Sequence, residues 1–399
     1  MIQILSTIGV KFFLIILSLI GSVVSARYLG PESRGDFFYW TSITALIIQF
    51  GSFGLQSSNT YSLIKRKVNI SLILSNSLYV AIFSGSFGCF IAVLINKING
   101  DNNFSIFTIP SILILSILGL NYLFLSNLLI AKNKIKEFNY IELISKICSI
   151  SLCIITTIIW RNPIYVLYTL CLSEIFSLLV LIFLFKKDFK VNKPNLEVFR
   201  GAANFGFKAY TICTLSSLVP KINIFVLRPE VSAVSFGEWS VSAQMFDVLC
   251  IVPASISLLL FPKMLRDKNP LKLLKKYTIL FTLFSLSFSF IFYKIGYRFL
   301  YLLYGEEYKS VYELLLWSLP GFLSYGIITL ISQYLASKGF PKTIIPAWII
   351  ILITHFFITT HLIPIVGTAA PYLSMSISYF LGCGIFLLLV KRLSNNLSN

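Results

Sequence analysis

Lys11, Glu142, Lys146, Glu174, Lys208, Lys221 and Asp247 stand within or at the edges of long apolar runs in a 399-residue chain. An ionisable group at the centre of a bilayer costs at least about 2.5–3.5 kcal/mol, so each must pair, reach water or meet a ligand. Asp247 shares a helical face with Ser240 and Gln244, at i, i+4 and i+7 spacing. Such a polar stripe has to meet protein or a water-filled cavity. Two roles fit Asp247: pairing with a lysine, or cavity and proton-handling work. The same two fit Glu174, which lies beside Ser173 and Ser177. Another run carries Glu142, Ser145, Lys146, Ser149, Cys153 and Thr156 along one face. Glu142 and Lys146 stand at i, i+4 in the favourable order, and mutual neutralisation is their simplest account.

The cations divide in the same way. Lys11 lies about seven residues into its run, roughly 10 Å at 1.5 Å per residue. From there it either snorkels to the interface or faces a central cavity and attracts an anionic headgroup. Lys208 occupies the matching position in the second half of the chain. Lys221 follows Pro220 near the outer end of its run, where a kink with a snorkelling lysine is the plain account. Arg27 closes the first run as an interface anchor. His355 and His361, the only two histidines, match no metal site and read as interfacial or packing residues without a polar setting. The seven cysteines all fall in apolar runs and read as small packing residues. No phosphate-binding loop, nucleophile elbow or metal-ligand cluster occurs, so the sequence implies no cofactor, no metal and no direct use of ATP.

The elements that must position these residues follow from composition. Apolar residues make up 57% of the chain and charged residues 12%, against about 25% charged in soluble domains. That balance excludes a water-soluble protein and predicts an all-α polytopic membrane protein. Twelve runs approach the ~20 residues of a crossing: 4–29, 37–57, 70–96, 106–131, 140–160, 164–185, 202–227, 236–261, 277–293, 314–336, 344–362 and 368–390. The first lacks a basic start and carries Lys11, so it reads as a retained helix and not as a signal peptide. Of the 33 Lys and Arg residues, 22 fall at one side of the runs and eight at the other. Basic residues mark the cytoplasmic side, so both termini are expected there, and the net charge of +18 calls for no nucleic acid.

The halves repeat. Gly9-Val10-Lys11, Gly30-Pro31-Glu32 and Gly35-Asp36-Phe37 are answered in order by Gly206-Phe207-Lys208, Arg228-Pro229-Glu230 and Gly237-Glu238-Trp239. A six-span repeat relates two lobes by a pseudo-two-fold along the membrane normal. The expected units are 1–200, including a cytoplasmic linker at 186–201, and 201–399.

The segment Ala26 to Phe37 resembles the signature after the first helix of Wzx-type polysaccharide repeat-unit flippases. These form the polysaccharide-transporter branch of the multidrug/oligosaccharidyl-lipid/polysaccharide exporter superfamily. Gly206 to Glu238 looks like the second-half counterpart, with Arg228 in place of a glycine, and Leu303 to Tyr308 resembles the loop after the ninth span. The resemblance implies transfer of an undecaprenyl-diphosphate-linked oligosaccharide, such as an O-antigen unit, across the bacterial inner membrane. It implies Lys11, Lys208, Lys221 and Arg27 as diphosphate contacts in a cavity between the lobes. Asp247, Glu174 and Glu142 would couple the cycle to a proton or sodium gradient, with Ser240, Gln244 and Lys146 as polar lining. Membrane lipids and polysaccharide-assembly proteins are the further partners. An ion-coupled exporter of organic cations on the same fold is the first rival, and an integral-membrane glycosyltransferase the second, although no large outer loop serves an acceptor.

Overall fold

The computed structural model describes residues 2–64, 66–98, 104–188, 190, 192–193, 210–267, 269–339, 341 and 343–396. Every regular element among them is helical. In chain order come α1 (Ile2–Gly51), α2 (Leu55–Ile64), α3 (Ile70–Ile98), α4 (Thr108–Ala131), α5 (Ile135–Trp160) and α6 (Pro163–Leu184). Then follow α7 (210–221), α8 (Asn223–Leu227), α9 (Ala233–Arg266), α10 (Pro270–Tyr304), α11 (Ser310–Ser337), α12 (Ile344–Val366) and α13 (Ala370–Asn396).

Among the described residues, ten helical stretches are long and apolar enough to cross a membrane. Two of them, Phe13–Gly51 and Ile344–Arg392, run to 39 and 49 residues, about twice what one crossing needs. Each is broken near its middle, so the ten stretches hold twelve crossings. The first break is Gly30, at φ 73° and ψ 169°. That region is open to glycine and essentially closed to residues with a side chain. Pro31, the next residue, has its φ preset for the first turn of a new helix. The second break falls at Gly367–Ala369, between α12 and α13.

The chain forms two compact units, Met1–Thr214 and Leu215–Asn399. In the first, α4 is the most enclosed span and packs against α1, α2, α3 and α6. Its Leu120, Phe124, Leu125 and Leu128 meet Leu55 of α2, Ile73 and Leu74 of α3, and Leu181 of α6 in one buried apolar cluster. Lipid tails are as apolar as these side chains, so close fit and not water exclusion holds membrane helices together. Gly88 of α3 shows that fit, since a Cβ there would lie 2.6 Å from Ile47 of α1. In the second unit α11 is the most enclosed span, packed against α9, α10 and α13. Phe281 of α10 stands edge-on to Phe322 of α11 with centroids 5.5 Å apart, and it fills the space a Cβ on Gly326 would need. The fourth crossing and the tenth, six apart, thus hold the same place in their own units, as the repeat requires.

The structure also explains two features of the motifs. Arg228 takes the place of Gly30 in the second half because its backbone is right-handed helical, at φ −54° and ψ −45°. Its guanidinium lies 5.2 Å from the Phe236 ring centre, as that of Arg34 lies 5.9 Å and 5.8 Å from Phe37 and Phe38. The Leu303–Tyr308 segment is a helix stop. Gly305 closes α10 at φ 87°, and the rings of Tyr304 and Tyr308, both buried, meet at 6.0 Å across it.

A Cβ on Gly30 would meet no atom within 4 Å, so Gly30→Ala tests the backbone alone. It is expected to cost about 1–3 kcal/mol. Gly384→Ala, equally open but inside α13, is expected to be neutral or slightly stabilising. Thermal unfolding of the detergent-purified protein measures both, and equal melting of the two variants would show that the break has no need of glycine.

Candidate functional site

In the second unit the charges converge where the seventh crossing breaks. Helix α7 ends at Lys221, directly after Pro220, and α8 resumes at Asn223. The Lys221 ammonium donates to Asp247 Oδ2 of α9 at 2.9 Å. Their side chains keep 26% and 46% of their exposure. Charges so open cannot rest against hydrocarbon in the middle of a span, so the pair borders a polar space. Of the two roles the sequence left open for Asp247, the structure shows pairing with a lysine, and that lysine is Lys221. The charge of Asp247 also reaches Cys250, one turn along α9, and Tyr372 and Tyr379 of α13.

The polar stripe on α9 does not behave as one surface. Trp239, Ser240, Val241 and Ser242 are all buried, and Ser240 Oγ donates to the Gly237 carbonyl of its own helix at 2.7 Å. Gln244 is half-buried. Spacing puts Ser240, Gln244 and Asp247 on one face, but α9 is covered at one end of that face and open at the other. Ser242, off the stripe, meets the hydroxyl of Tyr372 at 2.6 Å.

Beside the ion pair lies a buried polar network that the sequence reading passed over. His355 of α12 is fully buried, and its Nε2 stands 2.8 Å from Asn223 Oδ1. The Asn223 amide nitrogen donates to the Pro220 carbonyl at 3.2 Å, so Oδ1 is the acceptor and Nε2 carries the proton. Thr359 donates to the His355 carbonyl at 2.8 Å and pairs with Ser374 of α13. The expectation that neither histidine has a polar setting is therefore wrong for His355. The available signal was the i, i+4 spacing of His355 and Thr359, together with an asparagine placed just past a helix-breaking proline.

In the first unit, Lys146 of α5 interacts electrostatically with Glu174 of α6. A side chain on one helix has neighbours on the next, and α5 and α6 are packed together along their lengths. Tyr122 of α4 faces Ser145 of α5 and feels the charges of both Glu142 and Glu174. A polar seam thus joins α4, α5 and α6. Arg27 is exposed at the end of the first half of α1. Lys208 and the side chain of Lys11 lie outside the described residues.

Two units of packed apolar helices, each unit with several helices long enough to cross a bilayer, define a multi-pass membrane protein. Lipid II flippase MurJ in an inward closed conformation aligns with a TM-score of 0.81 and 17% identity, over 97% of this chain and 87% of that one. An inward-facing multidrug resistance transporter of the MATE family, in the MOP superfamily, aligns at 0.71 and 12% identity, over 95% and 94%. A MOP superfamily transporter from Pyrococcus furiosus aligns at 0.67 and 14%, over 100% and 95%. Among curated proteins, none matches the chain. The polysaccharide biosynthesis protein family model matches residues 3–268, about two-thirds of the sequence, and the chain belongs to that family.

A double-mutant cycle tests the Lys221–Asp247 pair. Lys221→Ala and Asp247→Ala are each expected to lower thermal stability, and the double variant to recover part of the loss. The expected coupling is about 1 kcal/mol, since the pair is only part-shielded from solvent. Strict additivity would mean that the two side chains do not interact.

Proposed function

We propose that this protein moves an undecaprenyl-diphosphate-linked oligosaccharide, an O-antigen or capsule repeat unit, from the cytoplasmic to the periplasmic leaflet of the bacterial inner membrane by alternating access. The observation that carries this reading is a sequence of the polysaccharide biosynthesis family on a fold shared with a lipid II flippase. Such a substrate joins a sugar chain and a diphosphate, which need water, to a polyprenyl tail that belongs in lipid. Its transfer calls for cations reachable from a polar space within the membrane, and the part-exposed Lys221 supports that need.

On this reading Lys221, with Lys11, Lys208 and Arg27, holds the diphosphate. An ammonium acts on phosphate as a point charge, and its pull strengthens as the surrounding dielectric falls. Asp247, Glu174 and Glu142 couple the cycle to a proton or sodium gradient, with Ser240, Gln244 and Lys146 as polar neighbours. The basic runs put both termini in the cytoplasm, and polysaccharide-assembly proteins receive the product outside. A second reading, export of organic cations, draws on the MATE likeness and on the open carboxylate of Asp247.

Proteoliposomes with the purified protein and a fluorescent polyprenyl-diphosphate oligosaccharide separate the two. An impermeant sugar-modifying reagent reports what has crossed. Protein-dependent crossing is expected, lost in the Lys11→Ala/Lys208→Ala double variant and milder in Lys11→Arg than in Lys11→Ala. Uptake of organic cations under an ion gradient, with no crossing of the lipid-linked sugar, would establish the exporter instead.

A further inference from the structure

The two ion pairs among the described residues differ in how they are held. Lys132 and Asp188, 2.5 Å apart where the chain leaves α6, are braced by the Phe185 ring 5.5 Å from the ammonium. Nearby, the Asn192 amides bond Ser75 and Ser71 of α3 at 2.9 and 3.0 Å. That pair is a clamp. Lys221 and Asp247 have no such bracing. Among the described residues each is the other's one hydrogen-bond partner, through a single N–H and a single carboxylate oxygen. An ammonium has three donors and a carboxylate two acceptor oxygens, so both groups keep capacity, and both side chains are partly exposed. An ion pair so loosely held can exchange partners.

Resting on the flippase reading above, we propose that Asp247 is an internal competitor for the substrate's phosphate. It occupies the Lys221 ammonium between cycles, and a diphosphate headgroup displaces it. Attraction to a cation scales with the charge of the anion, so a diphosphate outbids one carboxylate at the same distance. A singly charged phosphodiester, the group carried by ordinary anionic phospholipids, gains no such advantage over Asp247 and is excluded. The displaced carboxylate loses little, because it is already half in contact with solvent. When the headgroup leaves, Asp247 returns to Lys221 and opposes rebinding. One residue thereby favours polyanionic headgroups and hastens their release.

The test is equilibrium binding of inorganic pyrophosphate and of dimethyl phosphate to the purified full-length protein, run beside the crossing assay. Asp247→Asn is expected to bind pyrophosphate about fivefold tighter, equivalent to about 1 kcal/mol, and to gain binding of dimethyl phosphate. Lys221→Gln is expected to lose pyrophosphate affinity, and Lys221→Gln/Asp247→Asn to behave as Lys221→Gln does. If Asp247→Asn fails to accumulate, Asp247→Ser carries the same expectations. Unchanged affinity in the Asp247 variants would overturn the proposal. So would an equal gain in the Lys221→Gln background, which would reduce Asp247 to a long-range field. If the wild-type protein moves the lipid-linked sugar while the variants show either of those patterns, only the competitor role is lost. A wild-type protein that moves none loses the flippase reading itself.

Discussion

Hydrocarbon leaves an unpaired charge with no favourable place, and this constraint orders the interior of both units. Two of the lysines that enter the spans meet acidic charge from another helix: Lys221 of α7 pairs with Asp247 of α9, and Lys146 of α5 feels the charge of Glu174 of α6. A fully sealed ion pair would suffer the whole desolvation cost of both partners. Lys221 and Asp247 avoid part of it by staying partly exposed. The sealed positions in the same unit hold hydroxyl, amide and imidazole groups, among them Ser242, Tyr372, Asn223, His355, Thr359 and Ser374. Those groups hydrogen-bond one another at distances such as 2.6 and 2.8 Å. Full ions thus stand at the open edge while neutral hydroxyls and amides lie within.

The same economy shapes the two halves. Each unit is organised around one enclosed crossing, α4 in the first and α11 in the second, and each keeps an arginine over aromatic rings after its first helix. The halves part at single residues for local reasons. Gly30 sits in a backbone region that excludes side chains, whereas Arg228 sits in an ordinary helical one. A motif can therefore recur in function while losing its glycine, because the glycine served the turn and not the chemistry.

Much of the fold was legible from residue types alone. Hydropathy is a property summed along the chain, so the twelve crossings, the break at Gly30-Pro31 and the all-helical class could be read before any coordinates. The family resemblance rested on Ala26 to Phe37, and the family match over residues 3–268 agrees with it. The site was less legible. Glu142 and Lys146 looked like a pair because sequence shows neighbours on the same helix, whereas Lys146 also feels the charge of Glu174 on the next one. His355 looked like a packing residue because Asn223 lies 132 positions away. Ser240 and Asp247 share a face by spacing, yet one is covered and the other open.

By itself, then, the sequence determined how many helices cross, where the chain must break and which residues bring charge into the membrane. These depend on transfer from water to lipid and on backbone sterics, which act residue by residue. Only the tertiary structure decided which charge meets which, that Lys221 answers Asp247, and that Asn223, His355, Thr359 and Ser374 form one network. Those choices depend on how each helix is rotated and packed against its neighbours. Side chains interact over a few ångströms in space, and chain separation carries no record of that distance.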